Sequence, residues 1–270
     1  MRNTKLLIVV AVLVVPVFWN SALWAAEATD PVLENAINQG DRGPGGGIAP
    51  EPDSTITTEG AVITGTIVGT NCWLARGLEG KKYRDSAIAC ARNGTPLSIL
   101  TDAGELVYPV TVGNSGNYLP DMQSVMKYAE QRVRVTGKLM RRGKERAIVI
   151  DEIASAPAPK KVRTFATKET PGAEVVGRVV DLNCWIAKGS EATTDAKCIG
   201  DCATAGDPLV IVARGGRVYY PVSMTAPASP VGAAMLSPYC AKEVRVTGTV
   251  IDRGEGRAII INKVAPLASK

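Results

Sequence analysis

The sequence predicts an all-β protein of two tandem small barrels, each with five strands and one short helix before the fourth. Three observations carry that expectation. A motif occurs twice, NCWLARG from Asn71 and NCWIAKG from Asn183, and the same offset of 112 relates Cys90 to Cys202, Pro96 to Pro208 and Tyr108-Pro109 to Tyr220-Pro221. VRVTG recurs from Val133 and Val244, and RAIVI from Arg146 matches RAIII from Arg257, so a unit of about 100 residues, normal for a small domain, has been duplicated. Within each unit the apolar residues alternate in short runs rich in Val, Ile and Thr, the pattern of half-buried strands.

The chain opens on MRNTK and then fourteen apolar residues, Leu6 to Trp19. That run suits the h-region of a signal peptide, since a membrane span needs roughly 20 apolar residues. Ala26-Glu27-Ala28 has the small-x-small form of a cleavage site, with Ala25 as an alternative. Residues 1–28 are therefore expected to be a signal peptide. Phe18 to Trp24 prolongs the apolar character, so retention as an anchor is the other reading, and membrane association is expected only in that case. Residues 29–57 contain GDRGPGGGIAPEPD, which has too little apolar surface to bury and is expected to be a flexible spacer.

The first domain is expected at 58–157. Ala61 to Thr70 reads as a strand, and the cysteine motif then opens a long polar loop. Leu97 to Leu100 and Leu106 to Val110 follow as two strands around a turn at Asp102-Ala103-Gly104. Met122, Val125, Met126 and Ala129 fall at helical spacing, predicting a short helix over 120–130, and Val133 to Met140 and Arg146 to Glu152 complete the unit. Strand, strand, strand, helix, strand, strand is the order of an OB-fold, a five-stranded Greek-key barrel. Residues 158–169 form a basic linker. The second domain, 170–267, repeats the pattern, with Pro230 and Pro238 limiting its helix, and the two are expected to pack as a pseudo-symmetric pair.

At these residues the chain resembles a group of exported bacterial OB-like domains of unknown function. Their pattern runs Cys-aromatic, a Gly-containing loop, His-x-x-Cys-Ala-x-x-Cys, Gly-x-Pro and a final Val-x-Val-x-Gly strand. The resemblance covers both units, and its specific part is the spacing from Cys72 to Pro96 and from Cys184 to Pro208. It implies an exported OB-like domain, and the histidine and three cysteines of the pattern would imply a metal or redox site. Here Tyr83 and Asp195 occupy the histidine positions, and Ser86 stands where the second unit has Cys198. The family brings no activity with it.

Composition excludes more than it identifies. Removing residues 1–28 leaves 29 basic and 25 acidic residues, from 31 and 26 in the whole chain, an excess too small to imply polyanion binding by itself. There is no histidine. Serine–histidine and cysteine–histidine nucleophile pairs, histidine bases, c-type haem attachment and histidine-containing zinc sites are therefore excluded. Carboxylates form no repeated pair, so nothing indicates an acid–base enzyme, and no cofactor is expected.

Six cysteines in an exported chain predict disulfides. Cys72–Cys90 and Cys184–Cys202 would close the same loop in each unit, contributing on the order of 3 kcal/mol by loop entropy. Cys198 and Cys240 stand opposite Ser86 and Ala129 and would form an extra link in the second unit. The alternative is a tetrahedral metal site from Cys184, Cys198, Cys202 and Cys240, or thiol-redox exchange, although Cys198 and Cys202 are one residue too far apart for Cys-x-x-Cys.

Trp73 and Trp185 follow a cysteine at the rim of the first loop, either packed over the barrel end or offering a platform for a base or sugar. The first unit adds Lys81, Lys82 and Arg84 in that loop, and Arg132, Arg134, Lys138, Arg141, Arg142, Lys144 and Arg146 along the final hairpin. The second mixes Glu243, Asp252 and Glu255 among Arg245, Arg253 and Arg257. Converging loops would give the first domain a basic face for an anionic ligand; the plainer reading is a solvated hairpin whose charges discourage edge pairing. The expectation is an exported, periplasmic or extracellular, non-catalytic binding or interaction module. Its partner would be an envelope protein, a polysaccharide or another anionic polymer, not intracellular nucleic acid. A metal-handling or thiol-redox role for the second domain's cysteines is the alternative.

Overall fold

The computed structural model describes residues 57–110, 118–159, 163–189, 193–224 and 231–267. The expected signal segment and all but the last residue of the spacer lie outside them. Strands β1 (Thr57–Gly69), β2 (Leu97–Thr101), β3 (Leu106–Pro109), β4 (Arg132–Arg142) and β5 (Glu145–Ser155) make the first barrel; β6 (Thr167–Asp181), β7 (Leu209–Ala213), β8 (Arg217–Val222), β9 (Glu243–Arg253) and β10 (Gly256–Pro266) make the second. Each sheet closes on itself, the first in the order β1-β2-β3-β5-β4 and the second in the matching order. In both, the third and fifth strands run parallel and every other pair is antiparallel. The predicted all-β pair of five-stranded barrels is what the chain forms.

The helices are α1 (Thr70–Arg76), α2 (Arg84–Arg92), α3 (Tyr118–Met126), α4 (Leu182–Lys188), α5 (Ala196–Thr204) and α6 (Val231–Leu236). α3 and α6 are the expected helices before the fourth strands. The other four are a correction: the stretch read as a long polar loop is two short helices in each barrel. Four consecutive residues of α1, Cys72 to Ala75, are buried, so no polar face interrupts the motif to mark it as helical.

Along β4 burial alternates, with Val133, Val135, Gly137 and Leu139 inward. Opposite Gly137 the ladder skips Asp151 on β5, pairing Thr136 with Glu152 and Gly137 with Ile150. β10 skips Asn262 in the same way opposite Gly248. A Cβ at Gly137 would fall 2.0 Å from the Val149 carbonyl oxygen, and one at Gly248 would fall 2.0 Å from that of Ile260. This close approach accounts for the glycine in both copies of VRVTG.

The barrels pack reciprocally. Gly143, at the β4–β5 tip, lies against Gly216 in the β7–β8 turn, while its equivalent Gly254 lies against Gly104 in the β2–β3 turn. Arg142 donates from Nε to the Ile186 carbonyl at 3.1 Å, and Arg253 to that of Leu74, again at 3.1 Å. Gly94 meets its own counterpart Gly206, so closely that a Cβ on Gly94 would lie 3.6 Å from the Gly206 oxygen, which places both beside a pseudo-twofold axis. One apolar cluster runs through the junction, joining Ile67, Leu74, Leu100 and Ile148 to Leu182, Trp185, Val212 and Tyr220. A second, of Val179, Ile211, Val246 and Ile259 among others, fills the second barrel.

Candidate functional site

In the first barrel, α1 carries Cys72 and α2 carries Cys90, with their sulfurs 3.5 Å apart as a thiol–thiol hydrogen bond. None of the six cysteines is joined to another by a disulfide in this structure. The Cys90 hydrogen bond draws the Cys72 thiol below its usual range, against the opposing effect of burial, and it holds Cys90 far above that range. The Ser86 hydroxyl also bonds to this pair.

Glu130 closes the same loop. Its backbone has φ 58°, and its buried carboxylate accepts from the Gly69 N–H at 3.3 Å and the Gly80 N–H at 2.7 Å. Burial outweighs those two bonds and pushes the carboxyl up to about 7, from 4.5. A carboxyl raised on folding stabilises fully below its unfolded pKa, and that stabilisation is lost as the pH rises through the folded value. Between pH 4.5 and 7 Glu130 should therefore cost the fold on the order of 2 kcal/mol. Glu145 is likewise pushed up to about 7 by burial, against bonds from the Val218 N–H and the Tyr220 hydroxyl. Urea denaturation at pH 5 and pH 8 should show the fall, and Glu130→Gln should remove about half of it. An unchanged slope in that variant would contradict the assignment.

The second barrel is more heavily furnished. Asp181, the last residue of β6, caps α4 by accepting from the Cys184 N–H at 3.0 Å. The ligand atoms of Asp181, Cys184 and Cys202 all lie within 4.8 Å of one another, and all three residues are buried. Asp181 is 0 % exposed, and its Oδ2 has no hydrogen-bond partner among the described residues. Cys198 precedes Cys202 by one turn of α5, its N–H capped by Asp195 at 2.9 Å. Cys240 forms an isolated bridge with Val179 and donates from Sγ to the Ser237 carbonyl. Burial first and the Asp181 charge second push the Cys184 thiol up to about 11, with Cys198 adding to the rise. Burial and Asp181 raise Cys240 as well.

Asp181 is the candidate ligand residue that sequence reasoning missed. The signal was present at the repeat offset, where GTIVG ending at Gly69 faces GRVVD ending at Asp181. The second barrel thus has Asp181, Cys198 and Cys240 where the first has Gly69, Ser86 and Ala129. The first barrel's carboxylate reaches the same place from Glu130, whose counterpart is Ala241.

The expected ligand residues are mostly engaged elsewhere. Trp73 is 1 % exposed and meets Phe165 edge-on, ring centroids 5.6 Å apart; Trp185 is 0 % exposed. The stacking-platform reading is thereby corrected, because the other barrel covers the end on which each ring stands. Arg142 is buried on the Ile186 carbonyl. Arg84 donates to the Ala129 and Lys127 carbonyls, Arg132 binds both oxygens of Asp102, and Arg141 pairs with Glu59. Arg146 pairs with Glu105. Lys81, Lys82, Arg134 and Lys144 are exposed, with the Lys82 ammonium 4.9 Å from the Tyr83 ring centre. Comparison with protein-family models, curated proteins and solved structures finds no match.

Proposed function

We propose that the chain is an exported, non-catalytic interaction module of the periplasm or cell envelope, with the cysteine loop of its OB-like first barrel locked by a Cys72–Cys90 disulfide. The observation that carries this reading is the mutual packing of the barrels. OB-folds bind ligands on the second and third strands and on the loops after strands one and four. Here α1, which follows β1, accepts Arg253 through Leu74, and the β4–β5 tip carries Arg142 and Gly143 against the second barrel. Each barrel thus takes the place of the other's ligand. What remains for a partner is the outer surface.

Export is supported by the basic start and fourteen-residue apolar run, which no later stretch repeats. Disulfide formation is supported by the 3.5 Å separation of the Cys72 and Cys90 sulfurs, which need to approach by roughly 1.5 Å to bond. On the outer surface the exposed Lys81, Lys82 and Lys144 favour an acidic partner, either an anionic polysaccharide or an acidic face of an envelope protein. Retention of residues 29–270 on heparin tests the charge reading, since phosphate- or sulfate-like contacts weaken steeply with salt. Lys81→Glu with Lys82→Glu should elute at clearly lower salt, whereas Trp73→Phe should elute with the parent. Identical elution of the charge variant would overturn the acidic-partner reading.

A further inference from the structure

We propose that the second barrel holds a divalent zinc-type cation between Asp181, Cys184 and Cys202, with Cys198 as the fourth ligand. This site is independent of the interaction reading above. Three placements argue for it. Asp181 leaves β6, Cys184 lies on α4 and Cys202 on α5, so three separate elements bring one ligand atom each to within 4.8 Å of the others. Cys198 and Cys202 are four apart on α5, which puts both on one helix face. The ligand atoms of a tetrahedral site with bonds of about 2.0–2.3 Å are about 3.3–3.8 Å apart. For Asp181, Cys184 and Cys202, closing around an ion therefore needs movements of roughly 1 Å, and Cys198 completes the set by turning in from the same face of α5.

The carboxylate is what separates this site from a disulfide. A Cys184–Cys202 bond would remove two protons and two electrons from the thiols and leave Asp181 as it stands, with Oδ2 buried and without a donor among the described residues. A buried carboxylate oxygen with neither donor nor counter-charge is costly. A bound divalent cation gives that oxygen a partner as a ligand and displaces the thiol protons to solvent, the three thiolates formed being held by the ion itself. The first barrel shows the contrast. Its cysteine pair has Ser86 and Gly69 at the matching positions, and its nearby carboxylate is already satisfied by the Gly69 and Gly80 N–H groups. The second barrel has Asp181, Cys198 and Cys240 around its cysteine pair, whereas the first has only Glu130, with both oxygens already hydrogen-bonded. Cys240, close enough to Asp181 to feel its charge, lies beside this set as a further thiol.

The test uses residues 29–270 kept reduced with a phosphine and titrated with Co²⁺, then with Zn²⁺. One Co²⁺ per chain is expected, with thiolate-to-cobalt charge-transfer absorption that zinc abolishes by displacement. Cys90→Ser should leave the signal intact, and Cys184→Ser should remove it. Asp181→Asn is the safer variant for folding, because the amide oxygen still caps the Cys184 N–H; it should bind cobalt at least tenfold more weakly while keeping the parent's circular dichroism. The proposal is overturned if the reduced parent takes up no stoichiometric cobalt, if Asp181→Asn binds as tightly as the parent, or if Cys90→Ser loses the signal and Cys184→Ser keeps it.

Discussion

Gly248→Ala is expected to destabilise the second barrel by on the order of 3–5 kcal/mol, a large part of the stability of an ordinary domain. The reason is steric. The added methyl would fall 2.0 Å from the Ile260 carbonyl oxygen and 3.0 Å from its carbon, both backbone atoms in the paired strand. No side-chain rotation can relieve that contact, so β9 and β10 must separate at the Asn262 bulge, where the ladder is already interrupted. Gly137→Ala should cost about as much, since its methyl would meet the Val149 oxygen at the same 2.0 Å. Gly60 has nothing within 4 Å of its Cβ direction and is exposed on β1, so Gly60→Ala is the control and should change little. Urea midpoints of the three variants decide the matter. A Gly248→Ala protein within about 1 kcal/mol of the parent would show that the bulge is far softer than its geometry indicates.

That glycine shows why the fold was legible. VRVTG occurs twice with the same alternation, and Val133, Val135 and Leu139 point inward just as the period of two requires. The duplication placed every barrel strand at its repeat position, and a second copy of each run resolved what one copy left ambiguous. The cysteine loop resisted the same reading. α1 has seven residues, too few for a helical period to appear, and its buried face is set by the other barrel, which a linear pattern does not reveal. α2 is marked mainly by Ala87, Ala89 and Ala91, whose small side chains give little amphipathic contrast.

The candidate site was legible in part. The cysteine pairs fell together because the repeat offset placed both at corresponding positions. Asp181 escaped because it differs between the copies, standing where the first unit has Gly69, while the carboxylate near the first cysteine pair comes from Glu130, 61 residues further along the chain. The basic hairpin was legible only as a run of charges, for a different reason. Arg132, Arg141 and Arg142 are engaged by Asp102, Glu59 and the Ile186 carbonyl, which come from distant parts of the chain. Sequence spacing gives the position of a charge along a strand, while its partner is set by the tertiary fold.

Trp73→Ala is expected to lower the stability of both barrels together, by about 3–5 kcal/mol. Trp73 belongs to the first barrel by sequence, yet its ring meets Phe165 and stands beside Gly254 at the tip of the second barrel's β9–β10 hairpin. The apolar cluster containing it continues through Leu182 and Trp185 to Val210 and Tyr220. Removing the indole leaves a cavity in that shared cluster, bordered by groups from both barrels. If the barrels were independent, the loss would fall on residues 58–157 alone and unfolding would split into two steps. Continuous packing instead predicts one cooperative transition, with calorimetric and van't Hoff enthalpies equal in parent and variant alike. Hydrogen exchange supplies the local readout: amides of Val210 and Ile211, on β7 in the second barrel, should lose protection in Trp73→Ala by the same factor as those of Ile99 and Leu100 on β2. Trp185→Ala, the pseudo-symmetric change, should behave in the same way. Two resolved transitions, or unchanged protection on β7, would show the barrels to be separate folding units that merely touch.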